Sequence, residues 1–216
     1  MKYIVLYNPH AGDGWNDEKR SAAEKSIGGE CSFCDMTKTD YASLFGKMTD
    51  GERLVLIGGD GTLNRFINDT KNLKLPEHIL YLAGGSGNDF LHDVSGSQRS
   101  DKPIDVDKYI KNLPTVTVNG KEELFLNGIG YGIDGYCCRV GDEIKEKAQK
   151  KPNYTAIAIK GLLFHFKPSD AVVTVDGARR EYKKVWLAPT MNGRYYGGGM
   201  IPTPEQNRLG DGTLSL

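Results

Sequence analysis

Along this chain, short uninterrupted apolar runs alternate with charged stretches that carry apolar positions at helical spacing. Tyr3 to Tyr7 is one such run, Leu54 to Ile57 a second and Ile79 to Ala83 a third. Short, uniformly apolar runs are what a parallel sheet produces when both of its faces are buried. Cys31 to Met36 alternates and reads as another strand, leading to Thr37-Lys38-Thr39. Asp17 to Ile27, Asp40 to Met48 and Thr62 to about Thr70 are helix candidates, the second closed by Asp50-Gly51. Strand and helix therefore alternate in a βαβ rhythm.

The pattern changes after about residue 101. Thr115 to Val118 runs into Asn119-Gly120, a hairpin signal, with Glu123 to Asn127 as the expected return. Gly141 to Lys151 reads as a charged amphipathic helix and Thr155 to Phe166 as a second helix. Ala171 to Val175 leads into Asp176-Gly177, with Lys184 to Ala188 returning. The prediction is an α/β domain over residues 1–107 and a β-rich, sandwich-like domain over 108–216.

Candidate chemistry sits where the apolar runs end. Leu54 to Ile57 passes into Gly58-Gly59-Asp60-Gly61-Thr62-Leu63-Asn64. Glycine lets another molecule approach the main chain closely. Thr62 is expected to cap the helix that follows, and free N–H groups at a helix start attract anions. A carboxylate beside such a phosphate cradle implies Mg²⁺ between them. A plain tight turn would need one glycine, whereas this one has three around an acid. Ile79 to Ala83 ends in a second such turn, Gly84-Gly85-Ser86-Gly87-Asn88-Asp89-Phe90, and the two are expected to face each other across a crevice. Asn8-Pro9-His10-Ala11-Gly12, at the end of the first strand, would form a further wall of a nucleotide site. There is no G-x-x-x-x-G-K-[ST] segment, and Gly130-Tyr131-Gly132-Ile133-Asp134-Gly135 is a weak dinucleotide match with no clear βαβ unit after it.

Composition narrows the classes. Lys plus Arg and Asp plus Glu number 28 each, which argues against a dedicated nucleic-acid binder. No stretch of about 18 apolar residues is present to span a bilayer. The first residues suit a strand and are too short for a signal peptide, so a cytoplasmic location is expected. Cys31 and Cys34 have C-x-x-C spacing without a second pair at zinc-site distance; they and Cys137-Cys138 read as small core residues.

These motifs together resemble the diacylglycerol kinase catalytic family, in its bacterial soluble lipid-kinase branch. Asn8 to Gly12 is similar to that family's N-P-x-[SA]-G, Gly58 to Asn64 reproduces GGDGTLN, and Gly85 to Phe90 resembles G-T-G-N-D-F with serine for threonine. Asn127 to Asp134 is a weaker match to N-x-x-G-x-G-F-D. The resemblance implies a nucleotide domain and a β-sandwich domain flanking a cleft that binds ATP and Mg²⁺. It implies ATP contacts at Asn8, Pro9, His10, Ala11, Gly12, Thr37, Gly58, Gly59, Asp60, Gly61, Thr62, Leu63, Asn64 and Ser86. Asp60, Asp89 and Asp105 match acidic positions that organise magnesium and water. Asp211, with the backbone carbonyls of Arg208 and Thr213, matches a structural Mg²⁺ loop. From the residues alone, Asp211-Gly212 is a plain turn.

The implied activity is transfer of the γ-phosphate of ATP to a lipid hydroxyl such as that of diacylglycerol. NAD kinases share GGDGT, so a NAD or sugar kinase is one alternative; a non-catalytic nucleotide-sensing module is another. One departure favours the latter. The family's general base lies in a D-G-E segment well past the loop matching Asp211, and this sequence stops at Leu216. Nucleotide binding with weak or absent turnover is expected of the chain as written, and a sandwich without its last strands. Leu162, Leu163, Phe164 and Phe166 offer apolar side chains to the lipid. With zero net charge and no polybasic patch, membrane contact should be peripheral and weak. A homodimer is compatible with the resemblance.

Overall fold

The computed structural model describes residues 1–12, 14–85, 87–148 and 153–216. Its first half holds β1 (Lys2–Tyr7), α1 (Asp17–Ile27), β2 (Glu30–Asp35), α2 (Tyr41–Lys47), β3 (Glu52–Gly58), α3 (Asp60–Asp69), β4 (Ile79–Ala83), α4 (Asp89–Ser95), β5 (Ile104–Asp105) and α5 (Asp107–Ile110). The five strands form one sheet in the order β2-β1-β3-β4-β5. The first four are parallel and β5 is antiparallel to β4.

The uniform apolar runs have the expected cause. On β3, Leu54 and Leu56 enter one core cluster while Val55 and Ile57 enter another. Alternate side chains leave opposite faces of a strand, so both faces of this sheet are covered. The same geometry settles the C-x-x-C pair: Cys31 packs against one cluster and Cys34 against the other, and both are free. The helices are capped locally. Asn16 accepts from Lys19 N–H and Asp40 from Ser43 N–H, while Gly28, at φ 71°, closes α1 on the Glu24 carbonyl.

The rest is antiparallel and hairpin-rich. It holds β6 (Thr115–Val118), β7 (Lys121–Leu124), β8 (Gly128–Gly132), α6 (Ile133–Ala148), α7 (Tyr154–Lys160), a π-helical turn (Gly161–His165), β9 (Ser169–Val175), β10 (Ala178–Val185) and β11 (Leu187–Met191). The strands pair as three ladders, β6-β7, β9-β10 and β8-β11. Two compact units result: Met1–Asn127 with Asn192–Ser215, and Gly128–Met191 with Leu216.

Four expectations need correction. The return from Asn119-Gly120 begins at Lys121, not Glu123, because a two-residue turn with positive φ at both positions pairs Val118 with Lys121 directly. For the same reason the return from Asp176-Gly177 is Ala178–Val185. Leu187 and Ala188, read as part of that return, belong to β11 and pair with Gly132 and Tyr131 of β8. The charged helix starts at Ile133, eight residues before Gly141, and its predicted last residues, 149–151, lie outside the described residues. Gly141, read as the start of the helix, lies inside it and is there for packing: a Cβ would sit 2.5 Å from the Tyr154 ring. The second helix ends at Lys160 and continues only as the π turn, where a Cβ on Gly161 would meet the Tyr136 ring at 2.7 Å.

Candidate functional site

Because β1 to β4 run parallel, their carboxyl ends share one edge of the sheet. Asn8 to Gly12 follows β1, Thr37 follows β2, Gly59 to Asn64 follows β3, and Gly84 to Asn88 follows β4. This is the edge where open α/β sheets bind ligands. Asn8 Nδ2 donates to Thr62 Oγ1 at 3.4 Å, and Asn8 Oδ1 accepts from His10 N–H at 3.0 Å. The Thr37 hydroxyl and N–H both donate to Asp35 Oδ1, at 2.6 and 2.8 Å. That hydroxyl, with Lys38 and His10 nearby, holds the Asp35 carboxyl below its ordinary range. Ser86 lies outside the described residues.

The two glycine turns do not face each other across a gap; they touch through their backbones. Gly84 N–H donates to Gly58 O at 2.8 Å and Asp60 N–H to Gly87 O at 2.9 Å. A Cβ on Gly59 would lie 2.6 Å from Gly87 O, and one on Gly85 would lie 2.5 Å from Gly59 Cα. On Gly58 it would overlap the Thr62 side chain. These three glycines are needed for packing. Gly61 differs, because no heavy atom lies within 4 Å of its hypothetical Cβ. Gly61 borders open space.

Thr62 is not the cap of α3. The helix begins at Asp60 with Gly59 as its cap residue, and Thr62 lies inside the first turn. The Asp60 carboxylate reaches across to α4 instead. Its Oδ2 accepts from Asp89 N–H at 2.7 Å and its Oδ1 from Phe90 N–H at 3.0 Å. Burial raises the Asp60 pKa above its ordinary value; the two amides oppose this and the neighbouring Asp89 charge reinforces it. Asp89 is 6% exposed. Its Oδ2 accepts from Gly198 N–H at 2.8 Å, and its Oδ1 is buried without a partner. Two neighbouring carboxylates with an unsatisfied oxygen form a donor set that a hard divalent cation would complete.

Other predicted residues fall elsewhere. Leu63 is fully buried in the core, and Asn64 Oδ1 is occupied by Leu126 N–H at 3.0 Å. Asp105 pairs with Leu80, three residues before β4 ends, so about 10 Å of strand separates it from the glycine turns. It faces His78, with Asp107 close by. Asp211 is exposed and its Oδ1 accepts from Thr213 N–H at 3.2 Å, while the Thr213 carbonyl accepts from Gln206 Nε2 at 2.8 Å.

The Arg208 side chain has a role the sequence did not disclose. Its Nε donates to Asp93 Oδ2 at 2.6 Å, Nη1 to Leu126 O at 3.2 Å and Nη2 to Asn127 Oδ1 at 3.0 Å. Its guanidinium also lies over the Phe90 ring, 4.9 Å from the centroid. Arg194 Nε takes the other Asp93 oxygen at 2.7 Å. This network ties segment 192–215 to α4. Arg194 and Arg208 lie more than 100 residues from Asp93, and no local pattern marks them.

Asp134, the acid of the weakest motif, opens α6. Burial pushes its pKa from 3.8 to about 6, and its Oδ2 has no partner. A raised carboxyl pKa means the folded state holds its proton longer than the unfolded one, so stability falls as pH rises through the interval. Chemical denaturation at fixed salt should show unfolding free energy dropping between pH 4 and about 6. Asp134→Asn should flatten that segment; an unchanged slope would remove Asp134 as its source.

Residues 2–117 match the model of the diacylglycerol kinase catalytic domain, and residues 127–216 that of the YegS C-terminal NAD kinase beta sandwich-like domain. YtlR of Bacillus subtilis, provisionally named a lipid kinase, is 29% identical over 181 residues, covering 72% of this chain and 54% of that protein. A provisionally named lipid kinase of Staphylococcus epidermidis is 27% identical over 194 residues, covering 85% of this chain and 61% of its own length. The chain thus spans little more than half of these relatives. A crystal structure of a diacylglycerol kinase from Bacillus anthracis superposes with a TM-score of 0.59 over 99% of this chain and 71% of that one, at 23% identity. Its likeness confirms the fold: a parallel α/β domain followed by a sandwich-like one. From residue 2 to residue 117, then, this chain belongs to the diacylglycerol kinase catalytic domain family.

Proposed function

We propose that the chain is an ATP- and Mg²⁺-dependent kinase that phosphorylates a lipid hydroxyl, such as that of diacylglycerol. The observation that carries this is the Asp60–Asp89 pair. Two adjacent carboxylates, with one buried oxygen unsatisfied, lie beside loops that converge at the carboxyl edge of a parallel sheet. The triphosphate would lie along Asn8–Gly12 and the open side of Gly61, with Asp60 and Asp89 holding Mg²⁺. When bound, that ion would neutralise charge on the phosphates during transfer. The chain's own contribution is positional. Asp60 fixes the start of α4 through two amides, and Asn8 bridges the β1 and β3 loops through Thr62. Asp105 is too distant to share the same ion. The Asp211 loop, with the Arg208 and Thr213 carbonyls, is proposed as a separate structural cation site.

A lipid acceptor would have to be met at a membrane surface. No helix among the described residues is long and apolar enough to cross a membrane. Leu163 and Phe164, on the π turn, are 67% and 76% exposed, which supports weak peripheral contact through this turn.

Calorimetry of Mg·ATP with the 216-residue chain tests the reading. Asp60→Asn should lower affinity by about tenfold or more, about 1.4 kcal/mol. It should also cost about 1–3 kcal/mol of stability, because an NH₂ group would then face one of the two α4 amides. Wild-type affinity in a folded variant would refute the role given to Asp60.

A further inference from the structure

Gly197-Gly198-Gly199 is not one of the loops that follow β1 to β4. All three residues have left-handed φ, at 61°, 89° and 118°. Such consecutive angles are open only to glycine at little cost. The turn is clamped at its base by Tyr196 and Met200, whose N–H and carbonyl groups exchange two hydrogen bonds of 2.9 Å. At its tip, Gly198 N–H donates to Asp89 Oδ2, and the Gly198 carbonyl accepts from Gln98 Nε2 at 3.4 Å. Gln98 in turn accepts from Asn88 Nδ2 through its own carbonyl at 3.1 Å. The turn is therefore anchored to Asp89 and to Gln98, which in turn holds Asn88, and its amide reaches a side chain that is more than nine-tenths buried.

A Cβ on Gly197 would meet the end of the Met200 side chain at 2.6 Å and one on Gly199 would meet Gln98 Nε2 at 3.0 Å, but packing makes no such demand at Gly198. No heavy atom lies within 4 Å of a Cβ built on Gly198. What the backbone angles achieve is the presentation of one N–H to one oxygen. A carboxylate free to rotate would offer either oxygen to its surroundings. Here one oxygen is fixed, and the other is the buried acceptor without a partner.

We propose that the Gly197–Gly199 turn is a positioning element of the site: the Gly198 N–H holds Asp89 Oδ2 and leaves Oδ1 free to ligate a divalent cation. This rests on the reading that such a cation binds at Asp60 and Asp89. Partners that orient a metal ligand typically matter by about 10–100-fold in metal affinity. Gly198 is thus a positioning residue acting through Asp89.

The test uses Mn²⁺ alone, without nucleotide, titrated into the 216-residue chain and followed by the electron paramagnetic signal of the free ion; every protein compared, the wild-type reference included, carries Asp211→Ala, so that the separate site proposed at that loop does not contribute. Asp89→Asn should lower the affinity by about tenfold or more. Gly198→Val, whose branched side chain disfavours positive φ, should weaken binding about tenfold in a protein that still melts cooperatively. Gly198→Asn, which tolerates a left-handed angle, should stay close to wild type. Gln98→Ala, on the surface, should weaken binding without adding any atom to the turn. Unchanged affinity in both Gly198→Val and Gln98→Ala, with Asp89→Asn defective, overturns the role of the turn and leaves the cation reading intact. Wild-type affinity in Asp89→Asn, or no binding by the wild type, overturns the cation reading itself.

Discussion

Gly59→Ala and Gly61→Ala should behave as opposites although they are two residues apart in one motif. Gly59→Ala puts a methyl 2.6 Å from a backbone oxygen of the neighbouring turn, where nothing flexible can give way. Overpacking of this kind costs about 1–3 kcal/mol and occasionally more. It should also separate the β3 and β4 loops and break the Asp60 N–H to Gly87 O bond. Gly61→Ala meets no atom within 4 Å and lies in the first turn of α3. Relative to glycine, alanine favours a helix by about 0.5–1 kcal/mol, so urea denaturation should show equal or greater stability. If phosphates occupy the space beside Gly61, the same methyl should weaken Mg·ATP binding by about tenfold, about 1.4 kcal/mol. A stable Gly61→Ala protein with wild-type ATP affinity would move the nucleotide away from this turn.

Asp93→Ala should be the most destabilising single change at the site, through a residue that touches no proposed substrate. Asp93 and Arg208 are each 5% exposed at the side chain. Removing the carboxylate leaves a guanidinium buried without its anion, and breaking a buried pair in this way costs about 3–5 kcal/mol. Arg194 adds less, because its side chain is 40% exposed and water can solvate it. The urea midpoint of Asp93→Ala should therefore fall by a large margin. A substantial recovery should follow in Asp93→Ala/Arg208→Met, where no charge is left buried. A single variant within 1 kcal/mol of wild type, about a factor of five in the folding equilibrium, would show that water reaches Arg208.

How much of this the sequence disclosed depends on the range of the forces involved. Strands β1, β3 and β4 were legible because burial on both faces leaves an uninterrupted apolar run, as at Leu54 to Ile57, and β2, at the edge of the sheet, because its residues alternate. Helix α1 was legible to the residue because Asn16 and Gly28 cap it locally. The loops of the site were legible because glycine beside Asp or Asn is rare outside turns and ligand cradles. What those glycines do was not legible. Gly59 and Gly85 serve contact between two turns, which only the fold brings together. Segment 192–215 has neither helical nor strand periodicity, so nothing local reveals that Arg194 and Arg208 return to Asp93. Nor could the sequence show that Asp60 caps a helix that begins 29 residues later. Strand β11 was misassigned because its partner, β8, is far behind it in the chain, whereas the preceding hairpin was close at hand.

The most direct test of the central claim is a crystal structure of the chain with Mg²⁺ and a non-hydrolysable ATP analogue. The triphosphate should lie against Asn8–Gly12 and Gly61, with the ion at about 2.0–2.1 Å from an oxygen of Asp60 or Asp89. Triphosphate density elsewhere on the protein, or a clear site at this edge with no ion on either carboxylate, would contradict it.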